Sequence, residues 1–505
     1  MGGFVRDVGP LLPWYCAILL ATCWVVMRLR NGSTLHGIPR LRGYPIIGAV
    51  PHLFKYGLAG TLDHLISLSG DGGIAYAWLG STALVCLCDP SLVRQALSQP
   101  DEILDRHGNH NLWTPYSTLY RTLGSFLFYY RGEDARVGRA VLSANLMNSA
   151  ALASKVGFMS QMASKHVELI TSDVGSPASK KDLRRLVNDF AVDMWGEFMF
   201  EMKDAHAEND NLMALDENIN RIVIDPIHTV IHGMRSFFTL QRVDRRDHIE
   251  QEVHGDVCNI LSKRLANVSR FERCGKTVHG LLRKVSTESG GALDGPLNKH
   301  AIDLARFNIY GGHHSIGLIV TWVLYELNKQ PAQYQKLKNE IRVKFPDGNV
   351  NEFNLGQLQS EMPYLDAALN ETLRLYPIVY ASARVVNQKF TMPGSQGKPV
   401  TLTPGMVIFI SFYHLHKSEE LWGPDAAQFI PERFLGLKGI NGQFMPFGFG
   451  RRACVGYKFA MMAVKVLLVT LLSKYDLDIW DFSQEVKSGA VLEPSKPVEF
   501  STQRI

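Results

Sequence analysis

The chain has 505 residues, of which 46% are hydrophobic, and its formal net charge is +5 at pH 7. This hydrophobic content is ample for a large buried core. The charges are spread along the sequence without a run of five like charges, which argues against a nucleic-acid partner and favours a mildly basic surface that meets anionic lipid or an acidic protein.

The cysteine count argues against a disulfide scaffold. The number of cysteines is odd and their positions show no paired framework, so a reducing compartment is predicted. Cys86 and Cys88 lie in a strand-like run and are interpreted as core cysteines, because a metal site needs more ligands at suitable spacing. The seven cysteines are Cys16, Cys23, Cys86, Cys88, Cys258, Cys274 and Cys454.

The N-terminal region predicts a membrane anchor. Residues 11–27 are apolar apart from Thr22, which is near the lower limit for spanning a bilayer. Arg28 and Arg30 follow, and positive charge stays on the cytoplasmic side, so residues 1–10 form a short lumenal tail. A cleaved signal peptide is the less favoured alternative, because no small-x-small cleavage site follows.

Residues 28–51 are basic and rich in proline and glycine, which predicts a stiff hinge. Residues 52–505 show no repeat or low-complexity tract and are predicted to form a single domain. Short β-like runs occur at 73–78 and 82–88.

The rest of that domain is predicted to be mainly α with small β-sheets. Residues 104–130 are interpreted as a long loop, helical patterns dominate 132–380, and Val407–Ser411 is a predicted strand. Residues 301–327 are the most apolar stretch, which predicts a central buried helix. Gly311-Gly312-His313-His314-Ser315 interrupts it, and such residues in a helix interior call for a reason.

The sharpest signal is the glycine-rich segment that ends at Cys454, directly before the helical run Tyr457–Leu472. Free N–H groups and the positive dipole end of a helix stabilise a thiolate. The glycines allow the backbone to approach a flat cofactor, and Arg452 can pair with a carboxylate on it.

The segment resembles the cysteine-ligand loop of the cytochrome P-450 family, Phe-x-x-Gly-x-Arg-x-Cys-x-Gly. The matching positions are Phe447, Gly450, Arg452, Cys454 and Gly456. The resemblance implies the cytochrome P-450 fold, with haem b (iron protoporphyrin IX) between the central long helix and the cysteine-loop helix. It also implies that Cys454 is the iron ligand, and that Phe447, Gly450 and Arg452 contact the cofactor.

Further segments extend the resemblance. Glu371 and Arg374 match the family's Glu-x-x-Arg helix motif, and Arg433 lies in a Pro-Glu-Arg-Phe segment, which implies a structural Glu371–Arg374–Arg433 network. His416 lies in a Leu-His-Lys stretch that resembles another family feature.

Two arginines are implied to lie near the haem propionates, Arg139 and Arg384. The family usually has a tryptophan on the same early helix as the first arginine, and here that position is aligned with Ala135.

The central helix departs from the family's pattern, Ala/Gly-Gly-x-Asp/Glu-Thr. His314 stands in the acid position, and Ser315 keeps a hydroxyl. Histidine can still shuttle protons, so His314 and Ser315 are the predicted catalytic residues. His313 and His314 point about 100 degrees apart on a helix, so both cannot face the haem. Either one of them reaches the pocket, or both are packing or hydrogen-bonding residues.

The resemblance implies a haem-dependent monooxygenase that uses O2 and electrons from an NADPH–cytochrome reductase, with cytochrome b5 as a further candidate partner. It implies a single-pass protein of the endoplasmic reticulum membrane with residues 52–505 as a cytosolic haem-thiolate catalytic domain. The overall texture resembles filamentous-fungal members that act in secondary metabolism.

The predicted pocket wall includes residues 104–130, 210–240, 308–315, 378–382 and the turn near Val491, which suits a medium-sized lipophilic substrate. The alternatives are oxidative coupling, cyclisation or isomerisation without net oxygen insertion, and a haem-binding protein without turnover. His228 and His232 have the i, i+4 spacing of metal ligands, but no acidic third ligand accompanies them, so channel-lining or surface residues are favoured.

Overall fold

The computed structural model describes most of the chain in separate stretches. These are residue 22 and residues 35–44, 47–80, 82–106, 139–140, 142–143, 147–171, 182–200, 299–345, 355–393, 399–436, 442–488 and 491–505. The chain divides into two compact units. One comprises Met1–Thr114, Asp225–Phe238 and Ala381–His414, and the other comprises Pro115–Ile224, Thr239–Tyr380 and Leu415–Ile505.

Helices make up most of the described residues. They are α1 (Val50–Ser69), α2 (Pro90–Leu97), α3 (Ser149–Ala153), α4 (Val156–Thr171), α5 (Leu183–Phe200), α6 (Lys299–Lys329), α7 (Pro331–Lys344), α8 (Leu355–Ser360), α9 (Pro363–Leu375), α10 (Phe412–Lys417), α11 (Glu419–Trp422) and α12 (Tyr457–Leu472). The strands are β1 (Ile74–Leu79), β2 (Thr82–Leu87), β3 (Leu104–Asp105), β4 (Ala381–Val386), β5 (Phe390–Met392), β6 (Val400–Leu402), β7 (Val407–Ser411), β8 (Tyr475–Ile479), β9 (Val486–Ser488), β10 (Leu492–Pro494) and β11 (Phe500–Arg504).

The first unit is built on a five-stranded sheet in the order β1-β2-β7-β4-β3. β1 and β2 form an antiparallel hairpin, β2 pairs with β7 in parallel, and β7 pairs with β4 antiparallel. Every residue of these four strands is buried, which fits the apolar runs of β1, β2 and β7, whereas β4 also buries Ser382 and Arg384. The two N-terminal strands predicted from sequence are confirmed to within one residue, and the strand Val407–Ser411 has the predicted bounds.

The second unit is a helical core. α6 packs along α5, and α12 contacts both α4 and α6. The predicted central helix is confirmed, because residues 316, 318–320 and 322–325 of α6 all belong to the buried core. Most of the described residues between 132 and 380 lie in helices, as their periodicity predicts. The prediction of a mainly α protein with small sheets is therefore confirmed.

Several predictions lie outside the described residues. They concern residues 107–130 of the predicted 104–130 loop, residues 210–240, His228, His232, Ala135 and the anchor at 11–27, of which only Thr22 is described. The loop prediction is wrong at its start, because Leu104–Asp105 pairs with β4 as strand β3. Among the residues that the structure does describe, no helix combines the length and the apolarity needed to cross a bilayer. α1 begins at Val50, two residues before the predicted start of the catalytic domain.

Candidate active site

Cys454 ends a tightly hydrogen-bonded loop. Its backbone N–H donates to the Phe447 carbonyl at 2.8 Å, which closes residues 447–454 into a ring. Within this ring the Ala453 N–H donates to the Gly450 carbonyl at 3.1 Å. The Cys454 side chain is a reduced, exposed thiol three residues before the first residue of α12. The loop therefore presents a thiol near the positive end of a helix, where a thiolate is stabilised.

Two glycines give this loop its shape. Gly448 has φ +73° and Gly450 has φ +70°, values that L side chains rarely adopt. Gly450 also begins a single 3-10 turn, Gly450–Arg452, that leads to the cysteine. A residue with a Cβ at either glycine would strain the turn that presents the thiol.

Two arginines, Arg452 and Arg139, lie near Cys454 in the structure. The Arg452 side chain is buried although its neighbour Arg451 is exposed. Arg139 Nη2 donates to the Ala453 carbonyl at 2.7 Å, so a residue 314 positions earlier braces the peptide next to Cys454.

His416 also stabilises the loop through a hydrogen bond to Met445, which lies just before it. The imidazole Nε2 accepts the Met445 N–H at 2.9 Å, and the Met445 carbonyl accepts the Gly448 N–H at 2.9 Å. His416 is fully buried, and this burial lowers its pKa to about 3. The ring is therefore neutral at pH 7, which it must be for a ring nitrogen to accept a hydrogen bond.

The predicted Glu371–Arg374–Arg433 network is confirmed. Arg374 donates two hydrogen bonds to Glu371, from Nε to Oε2 at 2.7 Å and from Nη2 to Oε1 at 2.8 Å. Both side chains are at 0% exposure. Arg433 Nε lies 3.4 Å from Glu371 Oε1. Arg374 Nη1 also donates to the His416 carbonyl at 2.8 Å. The network therefore continues through His416 into the cysteine loop.

Gly312 of α6 has a packing role that the sequence did not reveal. A Cβ at Gly312 would overlap the Trp195 indole of α5. Trp195 in turn makes an edge-to-face contact with Phe459 of α12, with 5.0 Å between ring centroids. Trp195 thus connects the central helix and the helix that follows Cys454.

The two α6 histidines have different surroundings. His313 is buried, with 2% exposure. His314 Nε2 lies 3.9 Å from Oε2 of Glu493 on β10, and Arg184 Nη1 lies 3.3 Å from the same oxygen. Ser315 is half-buried. The His314–Glu493 contact spans 179 positions in the chain and left no signal in the sequence.

Arg384 lies on β4, in the sheet unit. Its Nη1 donates to Ser382 Oγ and to the Ala383 carbonyl, both at 2.7 Å, and the side chain is buried.

These residues fit haem b. Within the described ranges no three histidine, cysteine or acidic side chains cluster closely enough to hold a metal ion. Cys454 would supply one thiolate ligand, which suits an iron whose nitrogen ligands come from a macrocycle. The buried Arg452 supplies a cation for a carboxylate on that macrocycle.

Comparison with known proteins supports this assignment. The family Cytochrome P450 matches residues 40–501. Cytokinin hydroxylase of Arabidopsis thaliana is 26% identical over 409 residues, which cover 80% of this chain and 75% of the relative. Cytochrome P450 CYP72A616 of Paris polyphylla is 24% identical over 458 residues, 87% of this chain and 83% of the relative. Cytochrome P450 monooxygenase g430 of a Fusarium species is 30% identical over 213 residues, 39% of this chain and 37% of the relative.

Proposed function

The chain belongs to the cytochrome P450 family, and from this premise we propose that it oxidises a medium-sized lipophilic substrate with O2 and electrons from an NADPH–cytochrome reductase. Family membership makes the protein a haem-dependent monooxygenase that receives electrons from a redox partner. The reductase, a supporting cytochrome b5 and the substrate class belong to the proposal.

The observation that carries the proposal is the exposed Cys454 thiol at the end of its hydrogen-bonded loop. In the proposal the Cys454 sulfur ligates the iron. Phe447 and Gly450 shape the loop, and Arg452, Arg139 and Arg384 bind the haem propionates.

When bound, the haem supplies activation of dioxygen, which a thiolate ligand favours by donating electron density to the iron. The protein's part is to bind the substrate, exclude water and deliver protons. We assign proton delivery to the His314 imidazole and the Ser315 hydroxyl on α6. A histidine changes charge near neutral pH, so it can replace a carboxylic acid in this role.

We also propose how the chain is organised and that it lies in the endoplasmic reticulum membrane. Residues 1–10 form a lumenal tail, 11–27 a transmembrane anchor, 28–51 a hinge and 52–505 the catalytic domain on the cytosolic side of the endoplasmic reticulum. The arginines after residue 27 support this orientation. We assign the enzyme to secondary metabolism.

A second candidate is oxidative coupling, cyclisation or isomerisation without net oxygen insertion. It is favoured by one observation, the replacement of the family's acid by His314 on α6, because a weakened proton supply suits reactions that do not insert oxygen. Product mass distinguishes the two candidates: insertion adds the mass of oxygen, oxidative coupling or cyclisation removes hydrogen, and isomerisation leaves the mass unchanged.

The first test is the carbon monoxide difference spectrum of the reduced holoenzyme. A band at about 450 nm is expected for a thiolate ligand, against about 420 nm for a histidine or neutral ligand. Cys454→Ser should abolish this band. Cys88→Ser is the matched control, because Cys88 is a buried cysteine in the first unit, and it should leave the band unchanged. A band that survives Cys454→Ser would refute the ligand assignment.

A further inference from the structure

A row of four ionisable side chains joins α6 to β10 and to the start of α5. Asp182 Oδ2 lies 3.9 Å from Arg184 Nε, and Arg184 Nη1 lies 3.3 Å from Glu493 Oε2. Glu493 Oε2 in turn lies 3.9 Å from His314 Nε2. The signs alternate along the row, so its total charge is zero only when His314 carries a proton.

The row is largely withdrawn from solvent at its catalytic end. The side-chain exposure is 8% for Glu493 and 13% for His314. A carboxylate at this depth is stable only with cationic partners, and Arg184 and His314 both approach Glu493. Both approach the same oxygen, Oε2. The protonation of His314 and the Arg184 contact are therefore coupled through one atom.

The backbone on both sides of the row is fixed. The Leu492 carbonyl accepts the Trp322 Nε1–H of α6 at 3.3 Å, so Glu493 is held against the helix that carries His314. At the other end Asp182 Oδ1 accepts the N–H of Val498 at 3.0 Å. An approach of about 1 Å would turn the 3.9 Å His314–Glu493 ion pair into a hydrogen bond.

We infer that Glu493 is a positioning residue for His314: its carboxylate orients the imidazole and supplies, from β10, the negative charge that α6 lacks at position 314. The inference rests on the proposed function, in which His314 delivers protons during turnover. Arg184 limits the effect by sharing the same oxygen. In this enzyme the acid is displaced from the central helix to a strand 179 positions later.

The first measurement is the titration of His314 itself. It uses the full-length holoenzyme in its reduced, carbon monoxide-bound form, labelled with 13C at the histidine Cε1, and His314→Gln identifies the resonance. Glu493→Gln should lower the pKa of His314 by about one unit, a tenfold change in its proton affinity. Arg184→Gln should raise it. Glu485→Gln, the same change at an exposed position beside β9, should leave it unchanged.

The outcomes separate the two hypotheses. An unchanged His314 titration in Glu493→Gln overturns the inference, and if that variant does not fold, the absence of an upward shift in Arg184→Gln overturns it. The second measurement is the solvent deuterium isotope effect on reductase-supported NADPH oxidation. Each single variant, His314→Gln and Glu493→Gln, should change this isotope effect by the same amount, and the double variant should change it no further. A change in the double variant equal to the sum of the two single changes would contradict the positioning role. Absence of the 450 nm band or of turnover in the unmodified enzyme would instead refute the proposed function. The titration would still show whether Glu493 sets the proton affinity of His314.

Discussion

His416 accepts the Met445 N–H on its imidazole Nε2 at 2.9 Å and accepts Arg374 Nη1 on its backbone carbonyl at 2.8 Å. One buried residue therefore joins the Glu371–Arg374 pair to the loop that presents Cys454. A change in the Glu371–Arg374 pair is therefore expected to alter the position of the loop that carries Cys454.

We predict that His416→Ala destabilises the protein and weakens haem retention. The Met445 N–H would lose its acceptor in a buried setting, which costs about 1–3 kcal/mol. The measurements are the free energy of unfolding and the size of the carbon monoxide band per mole of protein.

Two controls make this prediction specific. His416→Gln keeps an acceptor atom and should restore much of the loss, and His36→Ala, at an exposed histidine, should have no effect. Equal loss in the alanine and glutamine variants would contradict the role of the hydrogen bond.

The same residue predicts a pH dependence of stability. The folded-state pKa of His416 is lowered to about 3, whereas the unfolded chain binds the proton near 6.5. Below that pH the unfolded state binds more protons than the folded state, so stability falls as the pH falls from 6.5 towards 3. The loss from this residue approaches about 1.4 kcal/mol per pH unit.

Chemical denaturation at pH 6 and at pH 4 measures this loss. His416→Gln has no group that titrates here, so its stability should fall less over the same interval. His414 is also half-buried with a pKa lowered by burial, and it remains in both proteins as an internal reference. Identical pH slopes in the two proteins would contradict the assignment.

Gly312→Ala is predicted to be strongly destabilising. Its Cβ would overlap the Trp195 ring, and the steric conflict should cost about 1–3 kcal/mol or more. Gly157→Ala in α4 is the matched control, because its Cβ meets open space, and there the change should stabilise by about 0.5–1 kcal/mol. Thermal unfolding measures both.

A double variant tests the cause of that loss. If Trp195 is the obstacle, Trp195→Leu should cost less in the Gly312→Ala background than in the unmodified protein. Additive effects of the two changes would mean that another neighbour of α6 is responsible.

Glu371→Gln is predicted to cost about 3–5 kcal/mol, because it leaves the buried Arg374 without its counter-charge. Glu361→Gln is the control. It removes a surface ion pair in which both side chains are at least 38% exposed, and such pairs contribute about 0–1 kcal/mol. Similar losses in the two variants would show that burial of the network is unimportant to its strength.

The features that the sequence predicted are local. The cysteine loop, the Glu-x-x-Arg pair and the buried strands each lie within a short stretch whose residue pattern reports the local structure directly. The strand Val407–Ser411 was found by its apolar run alone, although its parallel pairing with Thr82–Leu87 joins segments more than 300 residues apart.

The features that the sequence missed depend on contacts between distant segments. Nothing near Gly312 indicates that Trp195 lies against it, since a glycine in a helix has several possible causes. Glu493 is one acidic residue in a short strand, and only the fold brings it to His314. Pattern and propensity describe the neighbours along the chain, whereas these contacts follow from packing.

The spacing of the Arg374 contacts has a consequence for biosynthesis. Its guanidinium bonds the carbonyls of His416, Ala426 and Gln428, which follow it by 42, 52 and 54 residues. At about 5–20 residues per second the ribosome needs several seconds to make that stretch. During this interval α9 already carries Glu371, but the three carbonyl acceptors of Arg374 do not yet exist, so these contacts can form only late in translation. A pause or truncation before residue 428 would leave α9 exposed with both charges, whereas the Glu371 and Arg374 side chains are at 0% exposure in the finished protein.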